Sequence, residues 1–219
     1  MSGNFAQLKA LKAQHPDLKT FISLGGWTWS KNFSAAASTV ALRKQLVSSC
    51  IDIYIRGNLP VQDYHGGAGA AAGVFDGIDI DWEFPGGGGM PYNGQQAADK
   101  ENYTLLLAEM RRQLDAQGAI DNKHYGLTAA IGAGKDKIDF TEPAQYAQYL
   151  DWINVMSVTR LSGTSSPLAC RPTNCCSGFR FMGGAGPALR LGRMATAYTR
   201  RQPVLHLGAM KPASTTSKS

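Results

Sequence analysis

Residues 74–83 read V-F-D-G-I-D-I-D-W-E, and most of what this chain reveals follows from that short segment. Side chains along a β-strand point alternately to its two faces. Apolar and acidic residues alternate in the second half of the segment, so a strand here would have one apolar face and one acidic face. The apolar face comprises Ile78, Ile80 and Trp82, and the acidic face comprises Asp79, Asp81 and Glu83.

The acidic face would hold three carboxylates in a row, with neighbours about 6–7 Å apart at the rise of a strand. Like charges that close cannot all stay ionised in a site shielded from water, so we expect at least one carboxyl group to stay protonated near neutral pH, as a general acid must. A solvated edge strand with an acidic outer face is the alternative. Phe75 and Trp82 bracket the run and the glycine-rich loop Pro85–Gly89 follows it. These neighbours favour the interpretation that Glu83 lies at the carboxyl end of a barrel strand, where catalytic residues are found.

Residues 76–83 match the pattern D-x-x-D-x-D-x-E and resemble the signature of the family 18 glycoside hydrolases, the chitinases. The continuation W-E-F-P-G-G is similar to the bacterial members in particular. By this resemblance, Glu83 is the catalytic acid and base, Asp81 orients and stabilises the N-acetyl group of the substrate, and Asp79 shares a proton with Asp81. Asp76 lies off the parity of the other three acids, and we interpret it as structural.

A second segment, S-L-G-G beginning at Ser23, resembles the S-x-G-G signature of the same family and precedes the acidic segment in the expected order. Ser23 can hydrogen-bond an inward-facing carboxylate, while Gly25 and Gly26 let the backbone approach the barrel floor. By the resemblance, these residues and Trp27 bind the substrate, with the flat ring of Trp27 as a platform for a sugar. Packing into the core is the alternative for Trp27 and for Trp29.

Strand and helix patterns alternate along the chain, which is typical of βα repetition and a parallel sheet. We predict strands over 19–24, 74–83, 125–131 and 152–157, helices over 4–14, 38–55, 99–114 and 146–150, and glycine-rich loops over 57–73 and 85–98. The fold class is therefore α/β, and right-handed crossovers favour a TIM (β/α)8 barrel. By the resemblance, the four strands are the third to the sixth of eight, so the chain would be an internal fragment of a barrel.

The resemblance covers residues 1–157, which we interpret as a partial catalytic barrel domain. The third signature of the family, M-x-Y-D, should begin at Met156, which the resemblance makes a substrate-binding residue, but Val-Thr stands where Tyr-Asp is expected. Residues 158–219 form an unmatched tail. Residues 160–219 carry seven Arg, two Lys and no acidic residue. We expect this tail to be translated out of frame or disordered.

Composition excludes several other classes of protein. A fraction of 43% apolar residues in 219 is enough for one sizeable core, and 17% charged residues argue against a disordered chain. No segment reaches the roughly 18 apolar residues that span a membrane. The N-terminus lacks the features of a signal peptide. The resemblance implies a secreted full-length parent, and we expect the signal peptide to be absent from this fragment.

Charge and cysteine content limit the partners. The net charge of +6 arises largely in the basic tail, in which we find no known nucleic-acid-binding module, so we expect no nucleic-acid partner. The four cysteines lack zinc-binding spacing, and their pairing stays open. We expect neither a metal nor an organic cofactor, and we expect a monomer.

By the resemblance, the function is hydrolysis of β-1,4 linkages between N-acetylglucosamine units, with chitin or a chitooligosaccharide as substrate. The acetamide oxygen of the substrate would attack the anomeric carbon, which makes the mechanism substrate-assisted and retaining. An endo-β-N-acetylglucosaminidase acting on N-glycans carries a similar signature. A non-catalytic sugar-binding member is another alternative, and so is an inactive truncated product with open sheet edges.

Overall fold

The computed structural model describes residues 3–62 and 64–156. The helices in this part of the chain are α1 (Gly3–Gln14), α2 (Phe33–Ala37), α3 (Val40–Cys50), α4 (Asp99–Asp121), α5 (Lys135–Ile138) and α6 (Pro143–Tyr146). The strands are β1 (Phe21–Gly25), β2 (Leu59–Gln62), β3 (His65–Gly67), β4 (Gly77–Asp81), β5 (Gly126–Gly132) and β6 (Trp152–Met156). A π-helical turn (Ile51–Ile55) continues α3, and a 3₁₀ turn (Ala147–Tyr149) continues α6.

Four strands form one parallel sheet in the order β1-β4-β5-β6. Strand β1 pairs with β4 from Phe21 opposite Gly77 to Gly25 opposite Asp81, and Gly77 also pairs with Gly126 of β5. Because the strands are parallel, all four carboxyl ends lie at the same edge of the sheet. Parallel strands with helical crossovers are the repeating unit of the α/β barrel, and the predicted partial TIM barrel is confirmed.

The core lies between this sheet and the helices α3 and α4. Ile78, Ile80 and Trp82 are buried against it, so the prediction that they share an apolar face is confirmed. The apolar residues of α4 recur at helical spacing and form its buried stripe. These are Tyr103, Leu106, Leu107, Met110 and Leu114.

The amino ends of the four strands form a layer of two aromatic rings and two glycines. Phe21 lies across Gly77 and Gly126 so closely that a Cβ atom would come within 2.3 Å of the Phe21 ring at Gly77 and 2.5 Å at Gly126. The Phe21 ring also contacts Trp152 of β6, with the two centroids 5.0 Å apart. One ring therefore spans the start of the sheet.

The structure corrects several predicted boundaries. The strand predicted over 74–83 is shorter and ends at Asp81, so Glu83 lies just beyond it. Helix α4 does not end at Leu114 but continues to Asp121, where Asn122 takes the left-handed conformation that terminates helices, with φ of 49°. The predictions for 158–219 lie outside the described residues.

The prediction of a loop over 57–73 is wrong in part, because this region contains the antiparallel hairpin β2–β3. Leu59 pairs with Gly67, and Gln62 pairs with His65. Pro60 and the glycines of this hairpin are residue types that are depleted in strands, which is why the sequence pattern does not reveal it. The short helices α2 and α5 were also missed.

Asp76 precedes β4 and anchors the amino end of the sheet. Its carboxylate forms ion pairs with Lys12 and Lys123 and accepts a hydrogen bond from the Thr20 N–H at 3.0 Å. Burial acts to raise the pKa of Asp76, but the hydrogen bonds from the two lysines outweigh it, and the pKa is lowered. A buried, doubly paired carboxylate at this end is consistent with the structural role inferred from its parity.

We predict that Asp76→Asn lowers the free energy of unfolding at neutral pH by about 2 kcal/mol, because both lysines lose their charged partner. A lowered pKa stabilises the fold above the ordinary pKa of about 3.9, and this contribution is lost as pH falls through the folded-state value. Urea unfolding at a series of pH values checks this. The gap between wild type and variant should close on acidification, and a constant gap would contradict the prediction.

The matched control for this prediction is Asp139→Asn. Asp139 pairs with Lys135 at the surface, where both side chains are mostly exposed. We expect this variant to change stability by less than about 0.5 kcal/mol, because exposed ion pairs contribute little.

Candidate active site

The acidic side chains of β4 lie on the face opposite the core. Asp79 lies within the strand, Asp81 ends it, and Glu83 follows after the buried Trp82. The alternation of acidic and apolar side chains predicted from the sequence therefore continues beyond Asp81, the last residue of β4 that pairs with a neighbouring strand. This places the acids in succession towards the carboxyl edge of the sheet, where the strands of an α/β barrel carry their chemistry.

Asp79 is the carboxylate at which all four strands meet. Its Oδ2 atom accepts a hydrogen bond from the Ser23 hydroxyl of β1 at 2.8 Å. Its Oδ1 atom accepts from the Thr128 hydroxyl of β5 at 2.5 Å and from the Asn154 amide of β6 at 3.2 Å. The predicted hydrogen bond from Ser23 to an inward carboxylate is confirmed.

Sequence reasoning missed Thr128 and Asn154. Ser23, Asp79 and Thr128 are register partners on adjacent strands, so they point to the same face of the sheet. For Thr128, a polar residue at the matching position of the next strand was the available signal, but it can be used only when the register is known. Asn154 is the register partner of Ala130, so matching positions give no such signal for it.

Asp81 has a different environment from Asp79. Its Oδ1 atom is buried and has no hydrogen-bond partner among the described residues. Burial, together with the nearby charges of Glu83 and Asp79, raises the pKa of Asp81 to about 7. This agrees with the expectation that one carboxyl group stays protonated near neutral pH. No hydrogen bond joins Asp79 to Asp81 in the part of the chain described, so the shared proton stays a prediction.

Glu83 is half-buried at the edge of the sheet, and burial raises the pKa of its carboxyl group. A raised pKa keeps a larger fraction of the side chain protonated near neutral pH, which is what a proton donor needs. The next residue, Phe84, packs edge-to-face on Trp27, with ring centroids 6.4 Å apart. An aromatic pair therefore lies directly beside the acid.

The two tryptophans after β1 are surface residues. Trp27 is 49% exposed and Trp29 is 59% exposed, so the alternative that either packs into the core is wrong. Exposed aromatic rings at the carboxyl edge of the sheet can stack on the apolar faces of sugars.

The glycines of the second signature allow a close approach between β1 and β4. Gly26 donates its N–H to the Asp81 carbonyl at 2.7 Å. Gly25 has φ of 113°, and a Cβ atom there would lie 2.1 Å from the same carbonyl oxygen. Only glycine fits at Gly25, because any side chain would push β1 away from the strand that carries the acids.

Met156 ends β6 opposite Gly132 of β5. It therefore lies at the same edge of the sheet as the acids, two strands away from β4. In the described part of the chain, no three His, Cys, Asp or Glu side chains are grouped to hold a metal ion. The helices of that part include none that is long and apolar enough to cross a membrane.

Comparison with known proteins gives the family. The model of glycosyl hydrolases family 18 matches residues 2–181. This chain belongs to that family. The match continues past residue 157, the boundary drawn from the sequence, while the loss of the reading frame stays a prediction.

Two curated relatives are named chitinases. Chitinase A1 of Niallia circulans is 40% identical over 184 residues, which cover 81% of this chain and 24% of that protein. Chitinase A of Pseudoalteromonas piscicida is 38% identical over 156 residues, which cover 71% of this chain and 17% of that protein. The chain thus spans a quarter or less of the length of these relatives.

Two solved structures resemble the described fold. The catalytic domain of psychrophilic chitinase B from Arthrobacter TAD20 is 54% identical with a TM-score of 0.70, and the match covers 71% of this chain and 37% of that chain. A family 18 N-acetylglucosaminidase from Paenibacillus barengoltzii is 38% identical with a TM-score of 0.58, and the match covers 70% of this chain and 40% of that chain.

We predict that Asp81→Asn stabilises the fold at about pH 8 by on the order of 2 kcal/mol, because it removes a charge that burial disfavours. Asp81 has a raised pKa, so its proton stabilises the folded chain at low pH and this contribution is lost as pH rises through about 7. The advantage of the variant should therefore shrink on acidification. Thermal unfolding between about pH 4 and pH 8 measures it.

The control is Asp17→Asn, which neutralises an exposed carboxylate in the turn after α1. This change should leave stability nearly unaltered across the same pH range, because an exposed carboxylate is already solvated. Equal pH profiles for the two variants would refute the assigned environment of Asp81.

Proposed function

We propose that this protein hydrolyses the β-1,4 linkages of chitin and chitooligosaccharides, with Glu83 as the catalytic acid and base. The observation that carries the proposal is the row of Asp79, Asp81 and Glu83 at the carboxyl edge of a parallel sheet, with the pKa values of Asp81 and Glu83 both raised. Family membership and the names of the relatives support the same reaction and substrate.

The proposed mechanism begins with a proton on Glu83. Glu83 gives this proton to the glycosidic oxygen while the acetamide oxygen of the sugar attacks the anomeric carbon, so the bond to the leaving sugar breaks as the internal bond forms. Glu83, now a carboxylate, then takes a proton from the water that opens the cyclic intermediate. The configuration at the anomeric carbon is retained, and no carboxylate of the protein acts as nucleophile.

In this mechanism, Asp81 lies where its carboxyl group can orient the acetamide group of the substrate. It lies two residues before Glu83 on the same side of the chain, and with a pKa of about 7 it can hold a proton or release it during the reaction. Asp79, fixed by three donors, supplies a stationary negative charge beside it. That charge contributes to the raised pKa of Asp81 and favours a proton held between the two aspartates.

Trp27 and Met156 are the proposed direct contacts for sugar. The Trp27 ring is half exposed at the same edge as Glu83, and large aromatic surfaces bind the apolar face of a pyranose ring. Met156 lies at that edge on the outer strand β6. Ser23, Gly25 and Gly26 support the site from β1, through the hydrogen bond to Asp79 and the close approach to β4.

We further propose that the enzyme acts outside the cell, because chitin is an insoluble polymer that cannot enter. The monomer expected from the sequence stays a prediction. A similar solved structure is that of chitinase ChiW from Paenibacillus sp. str. FPU-7, a bacterial cell-surface-expressed enzyme. It is 38% identical with a TM-score of 0.59, and the match covers 70% of this chain and 12% of that chain.

We predict that Glu83→Gln lowers kcat on a fluorogenic chitobioside by about 10³-fold, because general acid–base catalysis is removed. The amide has nearly the same shape as the acid, so binding of unlabelled chitooligosaccharide, measured by calorimetry, should stay within about twofold. Glu101→Gln, on the exposed first turn of α4, is the control and should keep full activity. Retention of most activity by Glu83→Gln would reject its role, and an inactive wild type would favour a non-catalytic or truncated product.

A second candidate is the release of single N-acetylglucosamine units, favoured by the similarity to the N-acetylglucosaminidase structure. Chromatography of the products of chitohexaose distinguishes the two activities. We expect oligosaccharides of several lengths from a chitinase, whereas a monosaccharide alone from the earliest times would establish the second candidate. Cleavage of a high-mannose N-glycan, tested in parallel, would indicate the endo-β-N-acetylglucosaminidase alternative.

A further inference from the structure

The backbone of Glu83 lies outside the ladder of strand hydrogen bonds. Pairing between β1 and β4 ends at Gly25 opposite Asp81, and β4 itself ends at Asp81. The main chain that carries the acid therefore has no strand partner to fix it. A proton donor must nevertheless be held within a fraction of an ångström of its acceptor, so other groups must supply this support.

Ser30 supplies the support on one side. Its hydroxyl oxygen accepts a hydrogen bond from the Glu83 N–H at 2.9 Å, donates to the Gly26 carbonyl at 2.9 Å, and lies 3.2 Å from the Asp81 carbonyl. The side chain is fully buried. One hydroxyl group thus connects the turn after β1 to the main chain on both sides of Trp82.

Asn93 supplies the support on the other side. Its Nδ2 atom donates to the Glu83 carbonyl at 2.9 Å. Gly89 of the same loop lies so close that a Cβ atom there would be 2.1 Å from that carbonyl oxygen. The N–H and the C=O of the acid residue are therefore held by side chains from two different segments.

The loop that carries Asn93 is itself fixed by a buried carboxylate. Asp99, at the start of α4, accepts hydrogen bonds from the Ser34 hydroxyl at 2.7 Å, from the Gln96 N–H at 2.8 Å and from the Gly86 N–H at 3.3 Å. Both ends of the loop are thus bound to one fully buried group, which leaves Asn93 on a constrained support.

We propose that Ser30 and Asn93 are positioning residues for the catalytic acid, clamping the Glu83 main chain so that its carboxyl group keeps a fixed place at the carboxyl edge of the sheet. The proposal rests on the proposed function, because it names the groups that fix the acid for the same reaction. Neither residue touches substrate in this role. Their effect on the reaction passes through the position of Glu83.

The test compares Ser30→Ala and Asn93→Ala with wild type on the fluorogenic chitobioside. Loss of either hydrogen bond should lower kcat about tenfold and leave KM within about twofold, because the acid is displaced while the sugar platform is intact. The double variant should lose less than the product of the two single effects, because the two groups hold the same peptide.

A second readout does not depend on turnover. Carbon-detected NMR gives the pKa of the Glu83 carboxyl group, with its signal assigned by the spectrum of Glu83→Gln. Burial raises this pKa in the folded chain, so an acid freed towards water should titrate closer to an ordinary glutamic acid in Ser30→Ala and in Asn93→Ala.

Thr20→Val is the matched control. The Thr20 hydroxyl donates to the Val74 carbonyl at the opposite, amino end of the β1–β4 pair, so the variant loses a comparable hydrogen bond far from Glu83. It should keep the wild-type kcat and the wild-type Glu83 pKa. If Ser30→Ala and Asn93→Ala match Thr20→Val in both quantities, the positioning role is overturned.

The failures of the two proposals are distinguishable. A wild-type chain without turnover rejects the proposed function, while the Glu83 pKa in the variants still decides whether Ser30 and Asn93 position the acid. If Ser30→Ala does not fold, Asn93→Ala decides, because Asn93 lies in a loop and its truncation leaves the buried Ser30 contacts in place.

Discussion

The hydrogen bonds that converge on Asp79 are the interaction on which the rest of the site depends. A carboxylate is expensive to bury, and Asp79 is tolerated inside the sheet because a hydroxyl or amide from each of the other three strands donates to it. The same contacts tie the inward faces of all four strands together, with Asn154 reaching Asp79 from two residues beyond the register partner of Thr128. The hydrogen bonds that satisfy the Asp79 carboxylate therefore also hold the four strands in their register, and this alignment positions the rest of the site.

Three acids in and beside one strand have three different environments. Asp76 is paired with two lysines, which lower its pKa, and Asp79 is surrounded by neutral donors. Asp81 is buried beside two other acids, and its pKa is raised first by burial and then by their charges. In the proposed mechanism, these separate environments give Asp76 a structural role, hold the Asp79 carboxyl group in a fixed place and let Asp81 exchange a proton. The spacing of the acids along the strand sets where their carboxyl groups lie, whereas the surrounding elements set the pKa values of Asp76 and Asp81.

The sequence predicts the four strands of the parallel sheet and the two faces of β4, because each leaves a local pattern in the sequence. Ile78 and Asp79 could be assigned to opposite faces from their neighbours alone. The partners of Asp79 on β5 and β6 could not, because register between distant strands is fixed by packing. Ser30 and Asn93 were missed for a related reason: each is a polar loop residue with no periodic pattern, and its role exists only once two segments meet around Glu83.

The layer formed by Phe21, Gly77, Gly126 and Trp152 has a consequence for how the chain can vary. The ring of Phe21 occupies the space that side chains on the two middle strands would otherwise fill. A larger residue at Gly126 therefore fits only if a smaller one replaces Phe21 in the same step, whereas at Gly77 the Gly126 carbonyl oxygen, 2.4 Å from where a Cβ atom would lie, blocks a side chain as well. Phe21 and Gly126, both far from the proposed sugar site, are in this way obliged to change together, and a single replacement of Gly126 is blocked by geometry alone.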